Sequence, residues 1–96
     1  MIDKYILVYG KPTPCDDLMA WAQWFEVADR IVQRDIVGDV AVSTVFLGMD
    51  HSFGQGAPVL WETMIFGGQH DHYQERYSPL AAARAGHAKA LARITP

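Results

Sequence analysis

The stretch "RIVQRDIVGDVAVSTVFLG" (30–48) constrains the chain more than any other. Two β-branched runs flank Gly38 and Asp39, so a two-residue turn closes a hairpin between Val37 and Val40, with glycine where a positive φ is needed. On the second strand Val40, Val42, Thr44 and Phe46 share one face. Ala41, Ser43, Val45 and Leu47 share the other. A hairpin of this kind commits the chain to an antiparallel sheet, and the remaining segments are read around it.

"KYILVYG" (4–10) is dense in β-branched and aromatic residues and reads as an early strand inside the sheet, covered on both faces. In 11–30 the period changes to that of a helix. Thr13 stands at its cap, Pro14 at its first position and Asp16 three residues after the cap. Leu18, Trp21, Ala22, Phe25, Ala28 and Val32 form its apolar stripe. The segment 49–58 is a glycine-rich loop. In the strand 59–68, Glu62 shares a face with Leu60, Met64 and Phe66, an unusual neighbourhood for a carboxylate. A polar loop (69–78) leads to a last helix (78–94), with Ser78 as cap, Pro79 at the first position and Leu80, Ala83, His87, Leu91 and Ile94 as its stripe. Gly86 costs about 1 kcal/mol in mid-helix, which points to close packing against the sheet.

The order is β-α-β-β-β-α. The expected fold is α+β: a two-layer sandwich with a mainly antiparallel four-stranded sheet and two helices on one face. The 96 residues suit one domain (1–96), and half of them are hydrophobic, enough for a real core. The formal charge of -3 argues against nucleic acid as a direct partner. A single cysteine, Cys15, excludes an intramolecular disulfide and a thiolate cluster. The absence of a basic-then-apolar leader and of a long apolar run leads to the expectation of a cytoplasmic protein without membrane contact.

Chemistry-bearing residues are few. The histidines are His51, His70, His72 and His87. "HDH" (70–72) has alternate spacing, and with His51 it could in principle hold a zinc ion. Loops at opposite ends of a meander weaken that cluster, so no metal or other cofactor is expected. His87 on the helix stripe is either a core imidazole or the partner of Glu62 in proton transfer. Glu62 has Arg84 as a competing partner. No GxSxG or phosphate loop occurs. Aromatic residues are plentiful, and Trp24, Phe53 and Tyr73 are candidate interface anchors.

The strings "VSTVFLGMDHSFGQGAPVLWETMIFGG" (42–68), "ERYS" (75–78) and "AAARAGHAKALARI" (81–94) resemble a family of small phage and prophage proteins. That family is marked by STVFLG-x-DH-x-FG, ETM-x-FGG, an acidic-RY-S/T turn and a helix with Ala-Gly-His. Asp50, His51, Glu62, Arg76 and His87 match its pattern; His70 and His72 are not demanded by it. The resemblance implies a bacterial host cytoplasm and a protein that binds a host or phage protein. Inhibition of a host defence complex, such as a CRISPR–Cas effector, is the most concrete form. An enzyme or metal protein using Asp50, His51, Glu62 and His87, and an assembly protein that forms a homodimer through an edge strand, are the alternatives.

Overall fold

The computed structural model describes residues 3–96. The elements are β1 (Tyr5–Val8), β2 (Lys11–Pro14), α1 (Leu18–Val27), β3 (Ile31–Val37), β4 (Val40–Phe46), β5 (Trp61–Phe66), β6 (Gln74–Tyr77) and α2 (Leu80–Ile94). The fold is α+β. A four-stranded antiparallel sheet runs β3-β4-β5-β6, and β1 and β2 form a separate two-stranded ribbon.

The hairpin at 37–40 forms as its sequence dictates. Val37 faces Val40 across the turn, and Gly38 has a φ of 59°. Two other segments differ from expectation. The chain turns back at Tyr9–Gly10, and residues 11–14 pair with 5–8 instead of opening a helix. Lys11 and Thr13 each precede a proline, which disfavours helical backbone at both. The helix start therefore passes to Asp17, whose Oδ1 accepts the N–H of Met19 at 3.0 Å and of Ala20 at 3.1 Å. The fourth strand of the sheet is β6, in a stretch whose polarity reads as loop. It pairs Arg76 with Glu62 and Tyr77 with Trp61. As an edge strand it has little apolar alternation to betray it.

The ribbon joins the sheet through backbone bonds. Tyr5 donates to Gly48, Asp50 donates to Asp3, and Lys4 bridges Met49. The indole N–H of Trp21 fixes α1 to the same place, donating to the carbonyls of Tyr5 and Gly48.

α2 packs along the four-stranded sheet, contacting all four strands; α1 lies against β1 and reaches the sheet through Trp24, which packs on Phe46 of β4. The covered face has layers. Phe46, Leu60, Trp61 and Ala83 form one buried apolar cluster, completed by Tyr5, Leu7, Trp24, Val32, Tyr77 and Leu80. Val42, Ile65 and Ala90 form a second, with Val40, Tyr73, Leu91 and Ile94 around it. Along β4, β5 and α2, the buried Thr44, Thr63 and His87 lie between the two clusters. The N-cap of α2 is Pro79, without a side-chain capping bond; the Ser78 hydroxyl donates to Ala57 instead.

Gly86 serves the close approach expected of it. A methyl group there would overlap the hydroxyl end of the Tyr77 phenol. The Tyr77 hydroxyl is buried and has no hydrogen-bond partner among the described residues. A buried hydroxyl without a partner is a liability. Tyr77→Phe is therefore expected to leave stability unchanged or raise it by up to about 1 kcal/mol. Urea unfolding of the two proteins checks the sign.

Candidate functional site

The most organised polar group is a line of four side chains across the covered face. Asp35 on β3 meets His87 on α2, with Oδ2 to Nε2 at 2.7 Å. His87 Nδ1 lies 2.7 Å from Thr44 Oγ1 on β4, and Thr44 Oγ1 lies 2.6 Å from Thr63 Oγ1 on β5. The strand period puts these groups in reach of one another. Thr44 follows Val42 on the buried face of β4, pairs with Thr63, and has Asp35 diagonal to it across β3.

An acid, an imidazole and a hydroxyl in sequence form the layout of an activated nucleophile. Here the hydroxyl is sealed. Thr44 has 0% of its surface exposed and His87 1%. No substrate reaches Thr44 without α2 leaving the sheet. Only Asp35, at the edge strand, meets solvent. What the line does is pin α2 to three strands.

Asp35 is held below the ordinary carboxylate range, chiefly by its hydrogen bond from His87 and then by one from Gln33. Asp50 is also held low. Val59 N–H donates to its Oδ1 at 2.9 Å and contributes most, and Ser52 adds a backbone N–H at 2.8 Å and its hydroxyl at 2.9 Å. Asp50 thus clamps both ends of the loop that follows β4, with the main chain of His51 adding a bond to Val59.

Both carboxylates have folded pKa values below their unfolded ones. Their stabilising contribution is complete above the unfolded value near 3.8. It is lost as pH falls through the lower, folded values. The urea midpoint should therefore decline as pH drops from about 4. The double substitution Asp35→Asn/Asp50→Asn should flatten that acid limb while leaving the slope above pH 5 unaffected.

Glu62 lies on the opposite face of the sheet from α2. Of the two readings of His87, the pairing with Glu62 does not form: neighbouring residues on a strand point opposite ways, and it is Thr63 that faces the helix. Arg84, also on α2, is not its partner either. The Glu62 carboxylate accepts from Arg76 Nε at 2.8 Å and Gln74 Nε2 at 2.6 Å, both from β6. The pattern residues Asp50, Glu62 and His87 thus belong to three separate networks. Asp35, Thr44 and Thr63 were missed as site residues. Thr44 left one trace in the sequence, a hydroxyl within an otherwise apolar row.

His72 sits at a φ of 71° with Nε2 3.2 Å from Asp71, and Asp71 accepts the Gly67 N–H. Among the described residues no three His, Cys, Asp or Glu side chains gather in a metal-holding arrangement. Of the interface candidates, Trp24 packs edge-on against Phe46 with centroids 5.9 Å apart. Tyr73 lies beneath Arg93 and donates to Glu75, which holds its phenol above the ordinary range. Phe53 is 87% exposed. Among the described residues no helix is long and apolar enough to cross a membrane.

No protein-family profile, curated protein or solved structure matches the chain.

Proposed function

We propose that this chain is a binding protein that acts by contact with another protein, in a phage or prophage setting. Inhibition of a host defence complex is its most concrete form. The observation that carries the reading is Phe53. Asp50 uses three hydrogen bonds to hold the loop around it. At the apex Phe53 adopts a φ of 56° with its ring in solvent. A left-handed backbone at a non-glycine residue persists only where the surroundings over-determine it. An aromatic ring offered on a pre-set loop binds at a reduced ordering cost. Tyr9, at a φ of 50° on the tip of the β1–β2 ribbon and fully exposed, repeats the device.

The test uses the intact chain, tagged and passed through lysate from a bacterial host carrying CRISPR–Cas effectors. Retained protein is identified, then purified for titration. A defined partner should bind at micromolar concentration or tighter. Phe53→Ala should weaken it at least about tenfold, the effect of a typical hot-spot residue. If nothing is retained at micromolar chain, or if Phe53→Ala binds as well as the parent, the reading fails.

A further inference from the structure

We propose that two copies of this chain associate by seating the outward face of α1 in one copy on the outward face of α2 in the other. This does not rest on the Phe53 reading and involves different surfaces.

The first observation is α1 itself. It has ten residues and none is buried. Trp21, Trp24 and Phe25 turn inward and are partly covered. The outward side shows Leu18 and Met19 at 61% and 67% exposure with Ala22 between them, while Val27, 83% exposed, lies half a turn around the helix from Leu18. Scattered exposed apolar residues are ordinary. Leu18, Met19 and Ala22 share one side of this short helix, and Glu26 lies on the same side one turn beyond Ala22.

The second observation is charge. From Pro12 to Asp29 the chain has no lysine or arginine. Asp16 and Asp17 precede the helix, Asp29 follows it and Glu26 lies on the outward side itself, all exposed. None of them is in an ion pair among the described residues. The complement of this surface is present on α2. Its solvent side carries Arg84 on one flank and Lys89 and Arg93 on the other. Arg84 and Lys89 also lack an acidic partner among the described residues. Between the flanks run Ala81, Ala85, Ala88 and Ala92, a smooth row that admits leucine and methionine side chains at close helix separation.

The dimensions agree. A ten-residue helix is about 15 Å long and a fifteen-residue one about 22 Å, so α1 fits within the length of α2. Apolar burial supplies the attraction. Exposed ion pairs add little each, but they set orientation and make the association sensitive to salt.

Sedimentation velocity from 10 μM to 1 mM, at 20 and 500 mM NaCl, tests the proposal. The parent should exceed monomer mass at the upper concentrations in low salt, and high salt should weaken it several-fold. Glu26→Lys and Lys89→Glu, each at an exposed position and each checked for a native circular dichroism spectrum, should separately weaken association several-fold. Mixed together, the two variants should recover it, because each restores the contact the other lacks. A monomer at 1 mM in low salt overturns the proposal. So does association that neither substitution alters, or a mixture no better than its components.

Discussion

Gly86→Ala should lower the unfolding free energy by about 2 kcal/mol, whereas on an open helix surface the same change would raise it by about 1 kcal/mol. The reversal comes from Tyr77. That residue ends the edge strand β6, and its phenol lies directly against the Gly86 backbone, so the added carbon would overlap the hydroxyl end of the ring. Tyr77 also packs on the cluster of Phe46, Leu60, Trp61 and Ala83, which restricts how far it can retreat. Overpacking of a full site typically costs about 1–3 kcal/mol, and the helix-propensity gain offsets only part of it. A double-mutant cycle with Tyr77→Ala isolates the contact. If the clash is the cause, alanine at position 86 becomes stabilising once the ring is gone, with a coupling of about 3 kcal/mol. A Gly86→Ala variant with a higher urea midpoint than the parent would show that α2 does not sit this close to β6.

Gly86 illustrates how far the sequence could be read. Its mid-helix cost signals that something comes near, but the residue that comes near is supplied by β6, which no local pattern announces. An edge strand can be polar because one side and one edge meet water, so "QERY" reads like the loop before it. The same gap hid the partners of Glu62. Its unusual apolar neighbourhood was visible, while Arg76 and Gln74 became candidates for pairing only once β6 lay beside β5. At the other end, Tyr9–Gly10 is a hairpin turn whose second strand is masked by two prolines, residues commonly taken to open a helix. Where the determinant is local, the sequence sufficed. The turn at Gly38–Asp39, the alternation along β4 and the helical period of 80–94 all rest on neighbours within a few positions. The line from Asp35 to Thr63 rests on contacts 43 and 52 residues apart in sequence, and nothing short-range encodes them.

Replacing His87 should produce the largest loss of any single polar substitution, and the reason lies in where its partners sit. Asp35 can only accept, so Nε2 carries the hydrogen between them. The direction that leaves every hydroxyl hydrogen an acceptor then runs from Thr63 to Thr44 to Nδ1. With leucine at position 87, Thr44 and Thr63 retain one bond between them and one hydroxyl hydrogen is left without an acceptor. Both threonines are fully buried, so no water replaces the lost partner. A stranded buried donor costs about 1–3 kcal/mol. His87→Ala adds a cavity between the two apolar clusters and should reach about 3 kcal/mol or more. Asp35 is at the exposed end and regains water, so Asp35→Asn should cost clearly less than either. The deciding comparison is the triple variant Thr44→Val/Thr63→Val/His87→Leu, which removes all three buried members of the line together. It should recover most of what His87→Leu loses, since apolar groups of similar shape leave nothing unpaired. If the triple variant is less stable than His87→Leu alone, the polar layer contributes net stability of its own, beyond avoiding a stranded hydroxyl.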